Sequence, residues 1–147
     1  MPYTDLEIGL RETLTRATSF SCDNVTRNDR RVLGRGANQA VVLSYGGGPA
    51  TDEFSFGTVR HTWIINVDLF VRWPGEQSSM ANNWIADRQE LIDIVEQWPR
   101  LNNTTGVLGA FITVGEPAEP QTEGRTAYMV QRLLCQIEEV VEPVRQE

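Results

Sequence analysis

The chain contains no lysine, and all 13 of its basic residues are arginine. A biased genome composition is the plain explanation, but the physical consequence stands. Arginine makes planar, bidentate contacts and suits interface ion pairs better than lysine does. Histidine is almost absent as well: His61 is the only one, and the two cysteines, Cys22 and Cys135, lie far apart. One histidine and two cysteines at these separations make no metal-ligand spacing. No apolar run approaches the roughly 20 residues needed to span a bilayer. The N-terminal stretch MPYTDLEIGL carries Asp5 and Glu7 where a secretory signal would be cationic, so it does not read as one. Both thiols are therefore expected to be reduced, in a cytoplasmic protein. In that compartment Asn24-Val25-Thr26 and Asn103-Thr104-Thr105 have no meaning as glycosylation acceptors. A basic surface is missing too. The net charge of −7 argues against general nucleic-acid binding, which needs cations to displace counterions. It leaves open a channel that DNA slides through without adhering.

What is present is a long alternating segment, Val59 to Trp73. Odd positions read Val59, His61, Trp63, Ile65, Val67, Leu69, Val71 and Trp73; even positions read Arg60, Thr62, Ile64, Asn66, Asp68, Phe70 and Arg72. Side chains on a strand alternate between faces, so one face is apolar and the other mostly polar. Ile64 and Phe70 interrupt the polar face and mark it as a candidate partner surface.

The 147 residues are expected to form a single domain, residues 1–147, large enough to bury a core without disulfides or metals. Thr4 and Glu7 have capping-box spacing and open a helix whose stripe is Leu6, Leu10, Thr13, Leu14 and Ala17, fading near Ser19. Residues 22–39 read as an irregular connection and Ala40 to Tyr45 as a short strand. Gly46 to Gly57, with Gly46-Gly47-Gly48-Pro49, reads as a flexible loop. Pro74-Gly75 stops the long strand. Ser78 or Ser79 caps a second helix with apolar positions Trp84, Ile85, Leu91, Ile92, Val95 and Trp98, ended by Pro99. Val107 to Val114 is apolar on both sides and reads as a central strand. Glu116 to Gly124 reads as an exposed acidic hairpin loop. Thr126 to Val141 fits helix or strand. Helical periodicity is slightly the better match, but the preceding strand needs a hairpin partner for its edge, and we read it as a strand. The order is then helix-strand-strand-helix-strand-strand, an α+β fold with two helices packed on a small, mostly antiparallel sheet.

No catalytic constellation stands out. His61, between Val59 and Trp63 on the apolar face, reads as a structural histidine, since a base needs a partnered nucleophile. Gly34-Arg35-Gly36 lacks the third glycine and the preceding strand of a dinucleotide loop. Asp87, Glu90, Asp93 and Glu96 fall on the solvated side of the second helix. The charge distribution is more suggestive. Arg27, Arg30, Arg31 and Arg35 crowd the segment before the first strand, while Glu116, Glu119 and Glu123 crowd the later loop; Glu138, Glu139, Glu142 and Glu147 crowd the C-terminus. A mixed soluble surface explains this. So does head-to-tail complementarity between subunits, a contact that closes into a ring when the rotation allows.

Taken together, the element order, the strand HTWIINVDLFVRW with its Pro-Gly break, the helix end WPRLNNTTGV and the closing RTAYMVQRLLCQIEEV resemble a tail terminator protein of long-tailed bacteriophages. The resemblance covers nearly the whole chain and is one of layout rather than of a sharp motif. It implies a strand for the last element. It also implies a homo-oligomer, a ring of six, on the head-proximal end of the tail tube in the virion, assembled in the host cytoplasm. That ring would stop tube polymerisation and dock the head. The implied partners are the major tail tube protein and a head-completion or stopper protein, with DNA passing through the lumen. No membrane, no cofactor, no metal and no catalysis are implied. The interface candidates come from the residues themselves: Arg27, Arg30, Arg31, Arg35, Ile64, Phe70, Glu116, Glu119 and Glu123. Alternative readings are another neck component, such as a head–tail joining or tail completion protein, or a small ligand-binding α+β domain. A small enzyme would be marked by a pocket joining His61 to carboxylates.

Overall fold

The structure, a computed structural model, describes residues 3–17, 20, 24–30, 33, 38–55, 58–72, 78–123 and 126–141, with no account of the side chains of residues 53–55, 78–83, 123, 126 and 141. Its elements are α1 (Tyr3–Leu14), β1 (Val25–Arg27), β2 (Gln39–Ser55), β3 (Thr58–Arg72), α2 (Ser78–Gln97), β4 (Val107–Val114), β5 (Glu119–Glu123) and β6 (Thr126–Val141). Six strands form one mixed sheet in the order β1-β2-β3-β6-β4, with β5 also on β6. β1 runs parallel to β2, and the other pairs are antiparallel. Two helices with such a sheet make the class α+β.

The helices cover one face. Leu6, Leu10, Thr13, Leu14 and Ala17 of the first stripe are all buried. They meet Val41 and Leu43 of β2, Ile65, Val67, Leu69 and Val71 of β3, and Leu133, Cys135 and Ile137 of β6. Alternation places these strand residues on a single face. From α2, Leu91 and Val95 are fully buried, with Trp84, Ile92 and Ile94 partly buried against the same core. Ile85 and Trp98, read as part of that stripe, are exposed. The buried side of α2 centres on Leu91 and Val95, and both residues lie off its edge. The helix meets its successor loop tightly: a Cβ on Gly9 would lie 2.1 Å from Thr104 Oγ1, so only glycine lets that loop close over α1. Leu101, Asn102 and Asn103 all have positive φ, a costly backbone for non-glycine residues. Burial of Leu101 and a 2.6 Å hydrogen bond donated by Asn102 Nδ2 to Glu12 Oε2 hold it in place.

Four readings of the sequence need correction. Residues 25–27, placed in an irregular connection, form β1, because they pair in parallel with Val41 to Leu43. The loop assigned to Gly46–Gly57 is strand as far as Ser55: β2 continues past Gly47 and Pro49 through register shifts and stays paired with β3. Residues 119–123, assigned to an acidic loop, form β5 against Thr126 to Val130. β4, expected at the centre, is an edge strand. The chain reverses through β5 into β6, and β6 takes the place between β3 and β4. The sheet therefore has one parallel pair and two strands beyond the expected four, so its antiparallel character is incomplete.

One helix residue gives a pH-dependent effect. Burial, with the nearby Glu90 charge adding to it, raises the Asp87 carboxyl from 3.8 to about 6. The folded state thus keeps a proton that the unfolded chain releases. The stability from this group is complete below pH 3.8 and is lost as pH rises through about 6. Asp87→Asn should raise the melting temperature by about 2 °C at about pH 7.5 and leave it unchanged at about pH 3.5. Calorimetry at the two pH values checks this.

Candidate functional site

The face of the sheet away from the helices is not simply polar. Leu33, Ala40, Val42, Phe70, Tyr128 and Val130 form a second buried cluster there. Phe70, expected as an exposed partner contact, is 1% exposed and packs edge-on against Tyr128 at 6.0 Å between ring centroids. Its place on the polar face is explained within the chain: the register sets it between Ala40 and Val130. The Tyr128 hydroxyl donates to the Leu33 carbonyl at 3.0 Å and ties Leu33 into this cluster.

Beside this cluster lies a depression of about 150 Å³ whose lining includes Arg30, Asp68, Phe70, Glu116, Glu119 and Arg132. Its lining is mainly polar and carries both signs of charge, with Phe70 and Val130 buried beneath it. Arg132 grips Asp68 with Nε to Oδ1 at 2.8 Å and Nη2 to Oδ2 at 3.1 Å. That bond, reinforced by the Asp68 charge and opposed by burial, raises the guanidinium pKa further. Arg30 lies over the Phe70 ring, 5.1 Å from its centroid, in cation–π range. Glu116 is held at the rim, where its carbonyl accepts from Gln131 Nε2 at 2.9 Å.

Four sequence candidates, Arg30, Phe70, Glu116 and Glu119, thus line one depression of a single chain. Arg30 of the Arg segment and Glu116 and Glu119 of the acidic segment share it within the subunit. Ile64 sits further along β3, half-buried. Arg27 is elsewhere: its Nε is 2.8 Å from Oε1 of Glu7, which is 1% exposed, so this arginine serves the helix-side core. Glu123 ends β5, and its side chain lies outside the description, as do Arg31 and Arg35 altogether. Asp68 and Arg132 were missed as a pair. The signal was there, since Asp68 and Phe70 on β3 face Arg132 and Val130 on β6, but it needs the register between two distant segments.

At the other end of β3, Tyr3 meets Tyr45 edge-on, with ring centroids 5.2 Å apart, and Trp63 at a tilt, at 5.6 Å. Burial, with Glu7 beside it, pushes the Tyr3 phenol well above its ordinary range. The Trp63 indole donates to Glu139 Oε1 at 3.2 Å, and His61 Nδ1 lies 3.7 Å from the same oxygen. His61 therefore does meet a carboxylate. That oxygen already accepts from Trp63, and the other is buried without a hydrogen bond. This geometry makes Glu139 a strut under the aromatic row. Cys135 is fully buried and its thiol is pushed up to about 12, which makes it a poor nucleophile. Among the described residues no three His, Cys, Asp or Glu side chains are placed to hold a metal ion, and no helix is long and apolar enough to cross a membrane. No known protein family matches the chain, and no curated protein matches it either.

Proposed function

We propose that this protein is a structural, non-catalytic component of a long-tailed bacteriophage virion. On this reading it is a tail terminator: a ring of copies, six by the family resemblance, caps the head-proximal end of the tail tube, halts its polymerisation and offers a docking surface to the head. The observation that carries the reading is the pairing of two of the segments on which the resemblance rests. They supply β3 and β6, side by side from Val59↔Val141 to Arg72↔Tyr128. The terminator-like skeleton is then α1, β2, β3, α2, β4 and β6, with β1 and β5 as additions. A sheet plated with helices on one side and bearing a charged depression on the other suits a rigid part whose business is contact.

Charge is consistent with this role. Six copies at −7 each give 6 × −7 = −42, and a negative lumen lets DNA pass without adhering. The tube below and a head-completion protein above would be its partners. The His61–Glu139 contact is what an enzyme reading has to build on, and its carboxylate is already engaged by Trp63.

The experiment is electron microscopy of a lysate lacking the gene. Tails of uncontrolled length, unjoined to heads, are expected, because the open end of a helical stack remains a template for the next ring. Normal-length tails without heads would instead assign the protein to head–tail joining. Normal virions would remove it from the neck.

A further inference from the structure

β4 is apolar on both faces, the pattern of a strand covered on all sides, yet it lies at the edge of the sheet. Leu108, Phe111 and Val114 are 43%, 43% and 50% exposed. Of the six strands it alone carries no charged residue. Edges are ordinarily blunted by charge, proline or bulges, because their free amides and carbonyls template further pairing. The rest of this sheet's rim obeys that rule. β5, next along the same side, has Glu119, Pro120 and Glu123. On the opposite side β1 is 3 residues long, and β2 beyond it is broken by register shifts between Tyr45 and Ala50. β4 is unguarded.

We propose that β4 pairs antiparallel with β4 of a second copy of this chain, across a two-fold axis at Phe111. Three observations select a second copy as the occupant. First, the exposed residues are self-complementary about that point. With Phe111 opposite Phe111 of the other copy, Ala110 and Ile112 fall opposite each other along the regular stretch, and each Val114 meets the end of the other strand where the register shifts and Leu108 is exposed. Second, two chains of net charge −7 carry an overall repulsion to any contact, and β4 is the strand that brings no charge of its own to it. Third, like charges directly opposite destabilise a strand pair, and a two-fold pairing sets related residues of one sequence against each other, so an uncharged strand is what it demands. Aromatic and aliphatic cross-strand pairs add to the new ladder. The contact is isologous: it consumes the edge and stops at two. It is independent of the phage assignment and describes the free protein.

The test uses the full chain. Sedimentation velocity should show a species of two 16.6 kDa chains. Phe111→Lys, at an exposed position, should keep the far-UV circular dichroism spectrum and weaken dimerisation by about tenfold or more, since each lysine meets its twin. In a Cys22→Ser background, Phe111→Cys should form an intermolecular disulfide on mild oxidation, with opposed Cβ atoms about 5 Å apart. Ile85→Cys, exposed on α2, should not. A monomeric wild-type protein, a Phe111→Lys dimer of undiminished affinity, or a dimer that Phe111→Cys fails to cross-link would each overturn the proposal.

Discussion

Leu91→Asp should leave the domain unfolded at room temperature. Leu91 is 0% exposed at the centre of the buried side of α2, among the apolar side chains of the helix-side core. Removing the leucine forfeits about 1.5–3 kcal/mol of burial. Its replacement puts an unpaired carboxylate among apolar side chains, which costs several kcal/mol more even after relaxation. A domain of ordinary stability has about 5–15 kcal/mol in total, so the sum is comparable to the whole. Circular dichroism and a thermal melt read the result. A cooperative transition within about 2 °C of wild type would mean that α2 does not pack on the sheet as described.

Arg27→Met should lower the melting temperature by about 10 °C, from a loss of about 3 kcal/mol. Glu7 is buried on α1 and its partner Arg27 is one-third exposed, at 33%. Deleting the arginine strands a carboxylate that cannot reach water. The reverse change is cheaper, since an arginine released by Glu7→Gln can turn outward. The expected order of stability is wild type, then Glu7→Gln, with Arg27→Met lowest, and Glu7→Gln combined with Arg27→Met above Arg27→Met alone. A double variant no better than Arg27→Met would mean that packing of the arginine stem, not the stranded charge, carries the effect. Either way Arg27 is committed inside the subunit, and a role at a neighbouring subunit falls to other residues.

Arg27 also shows where the sequence stops being informative. A cluster of arginines can be read from composition, but an ion pair is set by which elements meet, and Glu7 lies 20 positions away. The same holds for Asp68 and Arg132, 64 positions apart. Elements with a strong period were legible: the α1 stripe and the odd positions of β3 from Ile65 to Val71 bury as their spacing requires, because a helix or strand with one apolar side has one way to hide it. Val59, His61 and Trp63 are only half-buried. β1 and β5 were not legible. Three residues are too few to show alternation, and Pro120 in the other argues for a turn. Phe70 deceived for a different reason: alternation tells which face a residue takes, not whether another segment covers that face. β4 misled in the opposite sense. Its two apolar faces read as a covered, central strand, yet at the edge of the sheet Leu108, Phe111 and Val114 stay exposed.

The joining of β3 to β6 also bears on how the chain reaches its native state. Every residue pair along that seam links segments separated by the whole of α2, β4 and β5, from Arg72↔Tyr128 outward to Val59↔Val141. The β2–β3 hairpin can zip early, since its strands are neighbours in the chain. The middle of the sheet cannot form until β6 arrives, so folding waits on a long, entropically costly closure and should take milliseconds to seconds rather than microseconds. Until then β3 presents a bare apolar flank to other nascent chains. Recovery from denaturant should therefore fall as protein concentration rises, through encounters made before the last strand docks.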